Sequence, residues 1–563
     1  MARIGHIRLE TRLAWLLATV IASILCLVVY ANPYHSGTYP VGGRGSAQDL
    51  QAQQPVPGAQ PLQGGPVSPP PSQSQAQPNQ ASAHYPAWVE TPKIFDVSQI
   101  SDYTPPPFSL GIPLALHPQL AQAVDRFLSR PVLTHKQASP QNQAACPLEQ
   151  ADAQVNADQL ENDHSKWLAV GPEAIEQMRR GALEFLEQHS ASEGDAALIG
   201  PGLDLDRKPI RQGSRGIVFA AGNHRTVERT ISCIKEIQKL GWQRGAIEVF
   251  HFDGELTDEN QRRQLKDMGA TPHTVSTKKA PGRWKNFELK AEAILRSSFD
   301  EVLYLDSDNY PLSDVGALFE SSLFRDTRGG NTIFWPDLNR DHPDNAIHRL
   351  LGIPCDNAWE LDSGQILISK SGNDGLNLAA LYLVQYMAEE GDFWFSGGDK
   401  DTFRYAFLAL GITYTPAPRW LSLLGNRDSN DNFCGAAMLQ YGLSPPRAEH
   451  ADPADPSHPE PLFVHANLLK HMSGVRPGNV FTQFRRLVPG QDDVRAEYPP
   501  AIALHSVKGG GSSVAGRGLC SDITAFRGGA DVETVDTKLS FGGMMKAFEE
   551  EFFSYGALPG LWR

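Results

Sequence analysis

Between Arg215 and Leu305 the chain alternates short apolar runs with amphipathic ones, and that rhythm is the strongest limit on its fold. Residues 216–220, 247–252 and 301–305 read as buried strands, with another expected over 272–276. Residues 226–240, 258–268 and 287–298 carry apolar side chains at helical spacing, and Gly241 and Gly269 close the first two. Strands separated by helices cannot pair as hairpins, so the alternation predicts an α/β fold: a mostly parallel sheet with helices on both faces. Ligands of such sheets lie at the carboxyl ends of the strands, where Gly222, Asp253 and Asp306 fall.

The last of these strands ends in Asp306-Ser307-Asp308-Asn309. Side chains alternate along a strand, so two acids at i and i+2 share a face while the backbone stays extended. A turn after Leu305 would instead put both into the mouth of a cleft. Two hard oxygen ligands there suit a divalent cation that carries a diphosphate.

Four further blocks could carry chemistry. Residues 283–290 open the helix before the Asp strand, and Lys290 on it could reach a diphosphate, although a lone helix lysine is ordinarily solvated. Residues 359–365, with Asp362 before Ser363-Gly364-Gln365, read as a polar loop ahead of a strand over 366–368. Gly397-Gly398-Asp399-Lys400-Asp401 opens a helix over 402–410; helix capping accounts for one of these acids but not for the packed Asp-Lys-Asp. Phe463-Val464-His465 ends another apolar run, five residues before Lys470. His465 is either a satisfied core histidine or part of a metal shell.

The N-terminus has a different character. Residues 13–31 are apolar and long enough, at roughly 28 Å of helix, to cross a bilayer core of about 30 Å. Arg3, Arg8 and Arg12 precede this stretch and no basic residue follows before Arg44, which keeps residues 1–12 cytosolic and sends the rest across the membrane. A cleaved signal peptide is the rival, and the length favours a signal anchor. Residues 32–113 are rich in Pro, Gln and Ser and are expected to form a disordered stem ahead of a domain over 114–563, with its core at about 215–471. A formal charge of −14 argues against nucleic acid as a partner. Beyond the anchor, Cys146, Cys233, Cys355, Cys434 and Cys520 could form two disulfides with one thiol left over, and their spacing does not suit zinc.

Residues 297–309, Leu361-Asp362-Ser363-Gly364-Gln365, Gly398-Asp399-Lys400-Asp401-Thr402-Phe403-Arg404 and His465-Ala466-Asn467-Leu468-Leu469-Lys470 together resemble a fungal family of Golgi α-mannosyltransferases, which add α-1,2-linked branches to cell-wall mannan. The resemblance runs from about Arg215 to His471; Ser307 and Ala466 depart from the family's usual residues. It implies a Rossmann-like glycosyltransferase-A fold and a single-pass type II protein of the Golgi membrane. It also implies GDP-mannose as donor, Mn²⁺ as cofactor, retention of the α configuration, and a mannan or N-/O-glycan acceptor, with a Golgi enzyme complex as a further partner. By the same resemblance Asp306, Asp308 and His465 would hold the metal. Gly222, Lys290, Asp306 and Lys470 would face the nucleotide diphosphate, and Asp362, Asp399 and Asp401 would orient the acceptor. Two alternatives share these features: another luminal transferase (α-1,3-mannosyl or UDP-sugar dependent) and a non-catalytic glycan-binding Golgi protein. A two-metal phosphohydrolase would need more ligands than lie near Asp306.

Overall fold

A computed structural model describes residues 89–556 with breaks, the longer ones at 106–115, 148–154, 277–287, 444–460, 495–501, 510–517 and 526–531. The expected anchor over 13–31, most of the stem and Trp562 lie outside the described residues. No helix among the described residues is long and apolar enough to cross a membrane.

Strands β1 (Arg215–Ala220), β2 (Ala246–Phe252), β3 (Ala270–Val275) and β4 (Glu301–Leu305) lie side by side and parallel, in the order 3-2-1-4. The chain then crosses as β5 (Asn309–Pro311) to a second sheet before β6 (Thr332–Arg340), β7 (Trp359–Ser369) and β8 (Thr415–Pro416) complete the first. Both faces of the first sheet are covered, which is why its strands read as apolar runs. Val218, Val302 and Tyr304 point into one core with helices Glu288–Arg296, Leu376–Glu389 and Thr402–Leu410. Ile217, Phe219, Leu303 and Leu305 point into the other, against Val227, Ile231 and Ile234 of helix His224–Lys239. That helix starts where the Asn223 side chain accepts the Thr226 N–H at 3.0 Å.

The second sheet joins β5 to β9 (Ser422–Arg427), β10 (Phe433–Tyr441), β11 (Pro461–His465), β12 (Gln483–Leu487), β13 (Ile502–Gly509), β14 (Gly518–Ala525) and β15 (Val532–Asp536), with every pairing antiparallel. Its Leu424, Ala437, Phe463 and Val464 close the core that β1 and β4 share with helix His224–Lys239.

Four expectations change. The first sheet is mixed, because β7 runs antiparallel to both β4 and β6. The loop expected over 359–365 is the first half of β7: Glu360, Asp362 and Gln365 are buried there and satisfied by other side chains, so their polarity hides the strand. Met544, Met545, Phe548 and Phe552 give residues 538–553 the pattern of one closing helix, which instead breaks at Gly542-Gly543 into Thr537–Phe541 and Met544–Ser554. The stem also gives way to packed structure earlier than residue 113: Phe95 is buried with Leu133 and Ala138, and the Val89 N–H bonds Tyr414 O at 2.7 Å. Disulfides join Cys146 to Cys355 and Cys434 to Cys520, leaving Cys233 as a buried thiol.

Candidate functional site

Chain order in the first sheet runs outward from β1 to β2 and β3, then returns to the other side of β1 with β4. Adjacent strands whose connections leave in opposite directions open a crevice at their carboxyl ends. Phe219 pairs with Leu305 across that junction, so Gly222 and Asp306 flank the crevice. A Cβ on Gly222 would meet the Glu255 carboxylate at 1.9 Å, so only glycine fits the close approach of that chain.

After Leu305 the backbone turns, with the Asn309 N–H on Asp306 O at 3.0 Å, and both acids enter the crevice. Three backbone features hold them. The Asp306 N–H bonds Gly364 O and the Ala466 N–H bonds Asp308 O, each at 2.8 Å. The β5–β11 ladder sets His465 opposite Asn309. The site therefore sits on the seam of the two sheets, where β4 delivers the acids and β11 delivers the imidazole. Donor atoms of Asp306, Asp308 and His465 all lie within 4.8 Å of one another.

Each carboxylate has its own ammonium. Lys290 Nζ lies 3.2 Å from Asp306 and 2.8 Å from Asp399, and also donates to Ser363 O and Oγ at 2.9 and 2.8 Å. Lys470 Nζ lies 2.7 Å from Asp308. Burial works against the charge on Lys290, but Asp306 and Asp399 outweigh it and hold the ammonium protonated above its ordinary range. The two acids are pushed apart. Burial raises the Asp306 carboxyl against the pull of Lys290, and the negative charge of Asp308 adds to the rise. Burial also opposes ionisation of Asp308, yet Lys470, His465 and Arg229 hold it well below the usual carboxylate range. Two nearby carboxylates with opposite shifts mark a charge-dense site of the kind that binds a cation.

The proposed acceptor-orienting acids do not face open space. Asp362 is buried and both of its oxygens are engaged: Oδ1 with His465 Nδ1 at 3.0 Å and the Gly364 N–H at 2.9 Å, Oδ2 with the amides of Gln365 and Gln440, each at 3.0 Å. Its role is to fix the His465 ring. Burial opposes the charge on both partners, but their mutual attraction lowers Asp362 to about 2 and raises His465 to about 9. A Cβ at Gly364 would fall 2.5 Å from that ring, so the glycine makes room for it. Asp399 braces Lys290. Asp401 is fully buried, accepts the Leu361 N–H at 3.0 Å and pairs with Arg404 at 3.3 Å, which makes it a packing group that no acceptor can touch. Tyr304, whose hydroxyl donates to Asp306 at 2.8 Å, was legible from its i−2 position on the same strand face; Ser363 and Gln440 carried no comparable signal.

Sheet and cluster together are those of an α/β protein with a charge-dense cluster of side chains at the carboxyl edge of its parallel strands. Residues 214–352 and 343–442 match the mannosyltransferase family model Mannosyl_trans3. The α-1,2-mannosyltransferase MNN2 of Candida albicans is 28% identical over 148 residues, covering 25% of this chain and 24% of that protein. The α-1,2-mannosyltransferase MNN24 of the same organism is 37% identical over 170 residues, 23% of each chain. The chain is therefore similar to this family over residues 214–442, and it spans only about a quarter of the length of those two relatives. Among solved structures, the mannosyltransferase Ktr4p of Saccharomyces cerevisiae in complex with GDP is 12% identical, covers 43% of this chain and 82% of that one, and superposes with a TM-score of 0.25, too slight a likeness to argue from.

Proposed function

We propose that this chain is a metal-dependent α-mannosyltransferase of glycosyltransferase-A type, which moves mannose from GDP-mannose to mannose residues of a mannan or N-/O-glycan acceptor. The expected linkage is α-1,2, with retention of configuration. The observation that carries this reading is the convergence of Asp306, Asp308 and His465 between two lysines at the carboxyl edge of β4. Two carboxylates and an imidazole suit Mn²⁺, which takes hard oxygen ligands together with nitrogen. A divalent cation held there would neutralise the charge that builds on a departing diphosphate.

The chain's own groups account for the rest. Lys290 and Lys470 present ammonium groups beside the acids, fixed before substrate arrives, where a diphosphate can exchange places with a carboxylate as their partner. Asp362 keeps His465 Nε2 turned toward Asp308, at 3.8 Å. The likeness to mannosyltransferases over residues 214–442 supports mannose as the transferred sugar. The apolar stretch over 13–31 with its preceding arginines supports a type II membrane protein, and the family resemblance is what suggests the Golgi and a Golgi enzyme complex as a further partner.

The test is sugar transfer from GDP-mannose to an α-1,6-mannose oligomer, with and without Mn²⁺, beside Asp308→Asn. Metal-dependent transfer that the variant loses supports the reading, and NMR of the product assigns the linkage. Turnover of a UDP-sugar in place of GDP-mannose would keep the site and overturn the donor. Absence of turnover with any donor, from a folded protein that binds Mn²⁺, would favour a glycan-binding role.

A further inference from the structure

A second group of donors lies outside this site and takes no part in the proposed chemistry. His135 begins helix His135–Ala145, His164 lies in helix Ala157–Ala169, and His342 and Asp344 lie in the turn between β6 and helix Ala346–Leu351. All converge on one carboxylate. His135 Nε2 lies 2.8 Å from Asp344 Oδ1, and His164 Nε2 lies 3.0 Å from Oδ2. His342 Nδ1 is 4.0 Å from the same Oδ2. That nitrogen is unprotonated, since it accepts the Asp344 backbone N–H at 3.1 Å, a bond that a metal on the same lone pair would replace. Donor atoms of His164, His342 and Asp344 fall within 4.8 Å of one another. The rings are held by stacking: Trp167 lies 5.9 Å from His342 at an interplanar angle of 27°, and His164 meets His342 edge-on at 5.4 Å. His342 and Asp344 are buried, while His164 is part exposed and leaves a path for an ion.

We propose that His164, His342 and Asp344 bind a transition-metal ion of the zinc class, with His135 holding the far oxygen of the Asp344 carboxylate. Metal–ligand bonds of about 2.0–2.1 Å at tetrahedral angles put donor atoms about 3.3 Å apart. The His164–Asp344 spacing of 3.0 Å is already near that value, and the His342–Asp344 spacing of 4.0 Å lies within about 1 Å of it. The donor set selects the metal: two imidazoles to one carboxylate favour Zn²⁺ over Mn²⁺ or Mg²⁺, the reverse of the oxygen-rich set at Asp306 and Asp308. A histidine on the free oxygen of a ligating carboxylate is the outer-shell support that such ligands ordinarily have.

The role is a structural clip. The ion would pin helix Ala157–Ala169, and through His135 on the same carboxylate helix His135–Ala145, to the turn that follows β6, at a place already tied by the Cys146–Cys355 disulfide and by Asn142, which donates to Pro343 O at 2.7 Å and accepts the Cys355 N–H at 3.0 Å. The same turn leads inward. Asp341 receives the Tyr405 hydroxyl at 2.7 Å and pairs with Arg404, whose other partner is Asp401.

The experiment uses the full-length chain, purified without a polyhistidine tag and stripped of metal, then given excess Mn²⁺ to occupy the cluster of Asp306, Asp308 and His465 and titrated with Zn²⁺ while Tm and competition with a chromophoric chelator are followed. A single zinc equivalent that raises Tm by several degrees is expected. His164→Gln should abolish the rise, His135→Gln should weaken binding about 10–100-fold, and Asp308→Asn should change neither. No zinc-dependent shift in the parent chain overturns the proposal, as does a shift that survives His164→Gln or disappears with Asp308→Asn. Where His164→Gln is itself unstable, Co²⁺ bound to the parent chain decides: visible bands of a four- or five-coordinate ion support the site, and the spectrum of the six-coordinate aquo ion overturns it.

Discussion

The two donor clusters differ in what answers their negative charge. At Asp306, Asp308 and His465 there are two carboxylates, each faced by a lysine, and the partners are fixed by backbone bonds on the seam of two sheets. At His164, His342 and Asp344 one carboxylate is faced by His135 and His164, carried on separate helices, and by His342 of its own turn. The lesson is one of purpose. A site that must receive a diphosphate needs cations that stay charged and are already in place, which lysines supply. A clip between segments needs donors that can be neutral, which histidines supply.

The largest effect that sharpens this contrast is expected from Asp308→Asn. It removes one charge from the lysine-flanked cluster with little change of shape, and transfer from GDP-mannose should fall about 10³-fold. The zinc response of the histidine cluster should be untouched. Transfer kept within tenfold of the parent would break the distinction. Next is Lys290→Met, which leaves the half-buried Asp306 and the buried Asp399 without their shared cation. Breaking a buried pair from one side costs about 3 kcal/mol, so urea unfolding should show a lower midpoint, and transfer should drop about 100-fold. An unchanged midpoint would mean that the lysine is not the group neutralising those acids. Smaller still is Asp362→Asn, which reaches the pair of Asp306 and Asp308 only through His465. A positioning role predicts that the Mn²⁺ concentration for half-maximal transfer rises about tenfold while the rate at saturating Mn²⁺ recovers. A loss that no Mn²⁺ concentration restores would instead place Asp362 at the substrate.

What the sequence made legible follows the same divide. The parallel half of the first sheet could be read because strands buried on both faces are short apolar runs and their helices are amphipathic; Glu301–Leu305 and Thr402–Leu410 fall where the pattern puts them. Asp306, Asp308, Lys290, His465 and Lys470 were legible as residue types at strand and helix ends, and the fold brings all five within one crevice. The first half of β7 was not, since its acids and amides are satisfied by partners far away in the chain: Asp362 by His465 and Gln440, Glu360 by Lys400. The second sheet was hidden for a related reason, being assembled from short strands separated by long connections, with β10 irregular at Gly435–Ala437. The histidine cluster had no local signature at all. Its members are spread from His135 to Asp344, and only the packing of helices on a turn unites them.

The smallest effect on transfer, and the cleanest separation of the two regions, should come from the disulfides. Cys146 follows the helix that begins at His135, and Cys355 follows the turn that holds His342 and Asp344, so that bridge closes a sequence separation of 209 residues beside the histidine cluster. Replacing both by Ser should destabilise the fold by about 2–5 kcal/mol, because the unfolded chain regains the freedom that the link removed. The helix carrying His135 should loosen, so zinc binding weakens, while Mn²⁺-dependent transfer per folded molecule remains at the parental level. Cys434 and Cys520 lie instead in β10 and β14, and Met438 of β10 pairs with His465. Removing that bridge should therefore raise the Mn²⁺ requirement and leave the zinc response alone. Activity assays and zinc titrations on the two double variants give four readings, and a variant that shifted both metals equally would show that the clusters are one coupled unit.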